Sequence, residues 1–455
     1  MSSYKIINPY TGQSIKEIEY TSREQTFKAL EMVDKGRKTQ SNMVPFERAQ
    51  ILSKLATLMK RDKEKIAAQI TEEMGKTIGD SFVEMDRAIM TITLSVEEST
   101  RINGEVMHSD AFAPKRDKRG MTEHFPLGVV LAITPFNFPI NLSAHKIGPA
   151  FAAGNTILFK PGPQNYLSAK LLTELCYEAG MTEEMFQLIN PDIPVMTELS
   201  LDDRIQCISF TGGVVAAKAI AKNAGMKKLL FELGGNDPLI VMPDADLDLA
   251  VKTAINQRFG TAGQRCTACK KLFIHEAVYE TFKNKLVSES QKLVIGDPMD
   301  KATFVGPVVN SRAADEIMKR LDEAVEKGAK ILLGHKRVGN IISPTILENV
   351  DDQCMLVKDE TFGPVMPLKK FSQIDTVIDL LSQSSFGLQA GVFTHDLRVI
   401  KKLFKELEVG ALAVNDGPGF RAEHFPFGGM KLSGLGREGV SYAIREMSAI
   451  KTLIF

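Results

Sequence analysis

Apolar residues recur at helical spacing through residues 22 to 40 and 46 to 74, where Ile51, Leu55, Leu58 and Met59 stand among Lys, Arg and Glu. That spacing predicts amphipathic surface helices. A further long helical segment runs from Gly79 to Arg101. Beyond residue 128 the pattern changes. Gly128 to Ile133 is a short β-branched run, Ser143 to Gly154 reads as a helix, and Thr156 to Lys160 as a second strand. Strand, helix and strand in that order make a parallel crossover unit. A second crossover joins the helix Ser168 to Ala179 with the strand Gln206 to Phe210. Pro238 then opens Leu239 to Met242, the strand that begins a second domain, and alternation continues through Lys271 to Ile274, Lys330 to Leu333 and Gly391 to Thr394. The expectation is an α/β protein with two nucleotide-fold-like halves. No repeat and no low-complexity tract interrupts it.

Composition narrows the function classes. The 455 residues exceed what one hydrophobic core organises. With 56 basic and 56 acidic side chains there is no net field to favour nucleic acid or an anionic membrane. The apolar stretch Pro126 to Phe159 is interrupted by Pro135, Asn137, Pro139, Asn141, His145 and Lys146, so it reads as buried strands and loops rather than a membrane span. Met1 to Tyr20 is polar and carries no signal-peptide core. Five cysteines, at 176, 207, 266, 269 and 354, fit a reducing compartment, so a cytoplasmic location is expected. The lone Cys266-Thr267-Ala268-Cys269 and seven scattered histidines give no metal-ligand set.

Candidate chemistry concentrates in Phe259 to Thr267, which places Cys266 among small residues beside Arg265, downstream of Phe231-Glu232-Leu233-Gly234-Gly235-Asn236. A thiolate is the nucleophilic form of cysteine, and a neighbouring cation lowers its pKa, so Arg265 suits activation and Glu232 suits a base. The competing reading makes Cys266 a core thiol and Glu232 a solvated residue. Strand ends carry the other polar residues, where open parallel sheets bind ligands. In Thr134-Pro135-Phe136-Asn137-Phe138-Pro139, Asn137 is either a stiffened oxyanion donor or a turn residue bonding its own backbone. Lys160, ahead of Pro161-Gly162-Pro163, is either a ribose or phosphate donor or a surface lysine. Phe210-Thr211-Gly212-Gly213 opens the helix Val214 to Asn223 and points backbone amides at an anion, although no G-x-G-x-x-G follows a strand.

Together these stretches resemble one family. Pro-Phe-Asn-Phe-Pro at 135 to 139, Phe-Lys-Pro at 159 to 161, Phe-Thr-Gly at 210 to 212, Glu-Leu-Gly-Gly-Asn at 232 to 236, Gly-Gln-Arg-Cys at 263 to 266, Glu-Thr-Phe-Gly-Pro at 360 to 364 and Pro-Phe-Gly-Gly at 426 to 429 recur, in order, in the aldehyde dehydrogenase superfamily. The resemblance implies two Rossmann-like parallel-sheet domains and a small oligomerisation hairpin. Residues 1–107 and 127–235 would bind NAD or NADP, 236–430 would form the catalytic domain, and 108–126 with 443–455 would build a homodimer or homotetramer. It implies Cys266 as nucleophile, Glu232 as general base, and Asn137 with the Cys266 amide as oxyanion hole. Lys160 and Glu360 would hold the adenosine and nicotinamide riboses, and Phe362 would border the nicotinamide. Thr134, Pro135, Phe136, Pro163, Phe210, Thr211, Gly212, Gly213, Leu233 and Gly234 complete the implied cofactor contacts. Phe138, Arg265, Thr267, Arg421 and Phe427 are the implied contacts to the aldehyde. Relatives that pass the acyl group to coenzyme A generally lack the glutamate, so Glu232 favours hydrolysis.

Departures refine the expectation. Pro163 stands where many NAD-preferring relatives have a glutamate that repels a 2′-phosphate, so NADP should be tolerated. Gly213 replaces a serine and deletes one hydroxyl contact to the pyrophosphate. Arg265 and Arg421 make a candidate clamp for a carboxylate, phosphate or sulfonate. With Gly387-Leu388-Gln389-Ala390, that pattern is similar to the branch acting on glyceraldehyde 3-phosphate, succinate semialdehyde and phosphono- and sulfo-aldehydes. Phe138 departs from it, because a tyrosine there can reach the phosphate. An anionic short-chain aldehyde is expected. Uncharged aliphatic aldehydes are the alternative, as are a catalytically silent relative and pairing of Arg421 with a surface acid such as Glu423. Ser448 to Phe455 is an apolar strand-like end with no covering helix, so pairing with another subunit is expected.

Overall fold

The computed structural model describes residues 2–111 and 118–455. Residues 112–117 of the expected hairpin 108–126 lie outside the described residues. Two sheets organise the chain. The first has six strands in the order Gly434–Leu435, Lys228–Glu232, Ile205–Thr211, Val129–Ile133, Thr156–Lys160 and Phe186–Leu188. All neighbours are parallel except the antiparallel Gly434–Leu435 edge, by which a late segment returns to the first sheet. The second has seven, in the order Lys330–Leu333, Thr345–Glu348, Val365–Phe371, Lys271–His275, Pro238–Val241, Gln389–Phe393 and Ala411–Val414. Helices cover both faces of each, and the central strands, being buried on both sides, read as unbroken apolar runs such as Val129 to Ile133.

Five details depart from the sequence reading. The segment 46–74 is two helices, Pro45–Arg61 and Lys63–Met74, divided at Asp62, which caps both and whose carboxylate holds the Arg61 guanidinium at 2.7 Å. The helix expected from Ser143 begins at Pro139, because proline is compatible with a first helical position and a foreign carboxylate caps the end. The strand Lys330–Leu333 pairs antiparallel rather than extending the parallel alternation. The polar N-terminus forms an antiparallel hairpin, Ser3–Ile7 with Ser14–Glu19. The C-terminal strand Ser448–Ile454 pairs antiparallel with Arg119–Pro126 of its own chain, so a second subunit is not needed for that edge. Val106–His108 adds a third strand, and the outer edge of Ser448–Ile454 carries no strand among the described residues.

The capping carboxylate is Glu84, from the helix Ile78–Ser99. Its Oε1 accepts the amides of Ile140 at 2.8 Å and Asn141 at 3.1 Å, and its Oε2 lies 2.6 Å from Lys76 Nζ. Both side chains are fully buried. Lys76 also donates to the Asn137 carbonyl at 2.9 Å and stands 3.5 Å from the centroid of the Phe138 ring. One ion pair therefore ties the first helices to the loop 134–139. Glu84→Gln should lower the unfolding free energy by about 3–5 kcal/mol, since it strands a buried ammonium. The double change Lys76→Met with Glu84→Leu should cost less than either single change, as read by denaturant melts.

Candidate active site

The site lies between the two sheets and uses their opposite ends. From the first sheet come loops that follow strands, at 134–138, 161–163 and 212–213; from the second come segments that precede strands, at 260–270 and 359–364. Cys266 occupies a turn closed by the Ala268 amide on the Arg265 carbonyl at 3.2 Å. The loop before it is left-handed for three residues running, with φ of 54° at Thr261, 52° at Ala262 and 73° at Gly263. Such conformations are costly for residues with a Cβ, and Asp80 restrains this one. Asp80 Oδ2 accepts from both the Thr261 amide, at 2.8 Å, and its hydroxyl, at 2.9 Å.

The thiol at 266 is only partly covered, yet burial of its surroundings pushes it up to about 12. Lys270 is the main charge pulling it back down, and Glu360 opposes that. The largest pull on the thiol thus comes from Lys270 rather than from its neighbour Arg265. Its guanidinium turns toward Asp80, at 3.7 Å, and lies 5.9 Å from the centroid of Phe138. Gly260 makes room for it, since a Cβ there would fall 2.7 Å from Nη2.

Asn137 Nδ2 donates to the Gln264 carbonyl at 2.9 Å, two residues before the thiol, so its amide is fixed against the Cys266 loop rather than bonded to its own turn. Glu232 is buried, not solvated, and its Oε2 has no hydrogen-bond partner. Burial raises its pKa well above the ordinary carboxylate value, and Glu438 adds to the rise. Its Oε1 packs on Gly428, where a Cβ would come within 2.8 Å. Lys146 reaches Glu438 Oε1 at 3.1 Å and Ser209 Oγ at 3.1 Å. Burial opposes ionisation of Glu438, but Lys146 and Arg421 outweigh it and hold the carboxyl at about 2.

Candidate cofactor residues converge on the seam between the sheets. Lys160 Nζ donates to the Pro161 carbonyl at 2.9 Å, and burial alone brings it to about 8. Pro163 opens the short turn Pro163–Asn165 beside it. Gly213 is the N-cap of the helix Val214–Asn223 and offers no side-chain cap, while Gly212 donates to the Glu232 carbonyl at 3.1 Å. Phe210 folds against Phe231, its ring so close to Gly212 that a Cβ there would meet it at 2.4 Å. The Leu233 amide donates to the Ser433 carbonyl at 2.9 Å, the Thr134 amide to the Lys160 carbonyl at 3.1 Å. Phe136 and Phe362 meet edge to face at 6.0 Å, one from each sheet. Gly234 faces Glu360, for a Cβ would lie 2.1 Å from Oε2. A dinucleotide fits this set: among the described residues Thr211 Oγ1 is buried without a partner and Lys160 has no acidic partner, and the glycines leave the backbone approachable.

On the aldehyde side the structure adds a residue. Arg87 Nε binds Glu423 Oε1 at 2.6 Å and its guanidinium carbon stands 5.9 Å from the Phe138 centroid. Arg421 is buried rather than on the surface, bonded to Glu438 at 2.9 Å, near Glu423 at 3.4 Å, and 3.9 Å from the Phe427 centroid. Burial opposes ionisation of Glu423, but its hydrogen bond with His145 and the charges of Arg421 and Arg87 hold it well below the carboxylate range. Arg421, Phe425 and Phe427 line a cavity of 310 Å³. Thr267 follows the nucleophile, half-buried, in the same turn.

Asp80, Glu84 and Arg87 escaped the sequence reading, although their i, i+4 and i+7 spacing puts three charges on one face of a helix whose neighbours Met85, Ala88 and Ile92 are buried. Lys146 and Glu438 gave no such signal, being brought together across 292 positions. Among the described residues no helix is long and apolar enough to cross a membrane, and no cluster of His, Cys, Asp and Glu is suited to a metal ion.

Known proteins are similar to this chain along its length. The aldehyde dehydrogenase family profile matches residues 1–453. A sulfoacetaldehyde dehydrogenase of Neptuniibacter caesariensis is 54% identical over 453 residues, covering 100% of this chain and 99% of that protein. A 3-sulfolactaldehyde dehydrogenase of Priestia aryabhattai is 39% identical, over 99% of this chain and 94% of its own length. The crystal structure of the glyceraldehyde-3-phosphate dehydrogenase GapN from Methanocaldococcus jannaschii, complexed with NADP, superposes with a TM-score of 0.95 at 37% identity, over 99% of this chain and 98% of that one. The chain thus belongs to the aldehyde dehydrogenase family and is an NAD(P)-dependent enzyme that oxidises an aldehyde to the acid.

Proposed function

We propose that the substrate is a short-chain aldehyde carrying an anionic group, with a sulfonate as the first candidate. The observation that carries this reading is Arg265: one residue from the nucleophile, it meets an acid only at 3.7 Å, and its buried Nε has no partner. A guanidinium with donors to spare suits a sulfonate, phosphate or carboxylate. Phe138 offers a ring and no hydroxyl, while Arg421 is already engaged by two acids, so Arg265 is the better anchor. The names of the two sulfo-aldehyde relatives support the sulfonate.

In the proposed mechanism the Cys266 thiolate attacks the aldehyde carbon, and the new C–S bond leaves an oxyanion. The Asn137 amide and the Cys266 N–H stabilise that charge. Glu360 and Lys160 would hold the riboses of a bound dinucleotide, whose nicotinamide would supply the acceptor for the hydride expelled as the oxyanion collapses. Glu232 then takes a proton from the water that attacks the thioester, and the C–S bond breaks to release the acid and the thiolate. Its unpartnered oxygen and raised pKa fit a base that is not consumed by a salt bridge.

The same reading divides the chain into 1–107 with 127–235 for the cofactor, 236–430 for the nucleophile, and 108–126 with 443–455 for oligomerisation. The uncovered outer edge of Ser448–Ile454 supports a homodimer or homotetramer. Five free thiols support a cytoplasmic setting. Pro163, which puts no carboxylate beside Lys160, supports acceptance of NADP as well as NAD.

Cys266→Ala should abolish aldehyde oxidation; normal turnover would sink the mechanism. Glu232→Gln should accumulate a thioester, trapped by rapid quench and mass spectrometry. Because the Glu232 carboxyl holds its proton above the usual carboxylate range, hydrolysis in the wild type should rise with pH until that proton is lost, and the rise should vanish in Glu232→Gln. Sulfoacetaldehyde, sulfolactaldehyde, glyceraldehyde 3-phosphate, succinate semialdehyde and propanal should be compared with both cofactors. Arg265→Met should lower kcat/KM about tenfold or more for the preferred anion, from the loss of a charge-assisted contact, and leave propanal unchanged. Equal kcat/KM for propanal and sulfoacetaldehyde in the wild type would refute the anion anchor.

A further inference from the structure

Lys270 lies four residues after the nucleophile, and its side chain is only 1% exposed. Its ammonium donates to the Cys266 carbonyl and, at 2.8 Å, to Glu360 Oε1. The same carboxylate oxygen accepts the Gly235 amide at 3.1 Å. Oε2 is left facing Gly234. The lysine thus occupies one oxygen of the carboxylate and leaves the other for a ribose hydroxyl. Its own backbone is anchored as well, with the Lys270 amide on the Asp237 carbonyl at 2.9 Å. Among the charged groups around the thiol, Lys270 exerts the largest pull toward the thiolate and Glu360 the largest push against it. The two opposing charges are bonded to each other, so whatever engages one alters the field of the other at the sulfur.

We propose that Lys270 is a positioning residue that joins the ribose-holding carboxylate to the nucleophile's main chain, so that a cofactor hydroxyl on Glu360 leaves more of the lysine's charge to favour the Cys266 thiolate. The inference rests on the assignment of Cys266 and Glu360 above. The S–H bond of Cys266 breaks, the proton passes to water, and the electron pair stays on sulfur. A hydroxyl donor on Oε2 spreads the carboxylate charge away from Oε1 and weakens its opposition to that ionisation. Thiol activation and cofactor binding then become reciprocal, each favouring the other through one ammonium.

The test is the pH midpoint of Cys266 alkylation by iodoacetamide, followed on the Cys266 peptide by mass spectrometry, with and without NADP. Because thiolate is the reacting form, the midpoint reports the thiol pKa independently of access. Lys270→Met should move the midpoint up by about one pH unit or more, which is about a tenfold slower reaction at neutral pH. Lys270→Arg should restore most of it. Glu360→Gln should move the midpoint the opposite way, downward, and NADP should lower it in the wild type but not in Lys270→Met. An unchanged midpoint in Lys270→Met, or a shift of the same sign in Lys270→Met and Glu360→Gln, overturns the proposal. If Lys270→Met does not fold, the Glu360→Gln shift and the wild-type response to NADP decide alone: a rise in the first, or no change in the second, overturns it. Failure of the wider reading is seen separately, as aldehyde oxidation that survives complete alkylation of Cys266.

Discussion

The buried Lys76–Glu84 pair is the contact on which the site's geometry depends. Each group would be expensive alone in an interior that offers no water. Together they are consumed by backbone: Glu84 caps the helix Pro139–Ala152, and Lys76 closes on the Asn137 carbonyl. The amide of Asn137 is thereby turned onto the carbonyl of Gln264, which belongs to the nucleophile's loop. A second acid of the same helix, Asp80, holds that loop from the other side. Two acids of a single helix, Ile78–Ser99, therefore hold both walls of the candidate seam.

Charge in the seam is arranged in two separate chains. One runs from Lys146 through Glu438 to Arg421, then through Glu423 to Arg87, and leaves Glu232 unbonded beside it. The other runs from the Cys266 carbonyl through Lys270 to Glu360. Each chain carries charges of both signs. In the first, Lys146 and Arg421 fix Glu438 as an anion and pull against the rise that burial, aided by Glu438, causes at Glu232; in the second, Lys270 pulls the buried thiol down while Glu360 pushes it up.

Most of the fold was legible because its strands are short apolar runs bounded by turns rich in glycine and proline. The candidates Cys266, Glu232 and Asn137 stood out for a related reason, since each sits in a local motif whose neighbours are glycines and prolines with a steric task. Lys270, Arg87 and Glu438 did not. Their oppositely charged partners lie 90, 336 and 17 or more positions away, and no local spacing reports a contact made by tertiary closure. The helix start at Pro139 failed for the same reason, its cap arriving from residue 84. For Arg265, adjacency in sequence put its charge near the thiol, and tertiary closure set its guanidinium toward Asp80 over Gly260.

The left-handed run at Thr261 and Ala262 has a consequence for how such a chain evolves. Two residues with side chains held there cost about 1–2 kcal/mol each, and glycine would bear the conformation at less expense. A search for thermostable variants should therefore find glycine or asparagine at these positions, with a looser grip on the nucleophile as the penalty. Retaining threonine, with both its donors on Asp80, trades global robustness for rigidity at one sulfur atom.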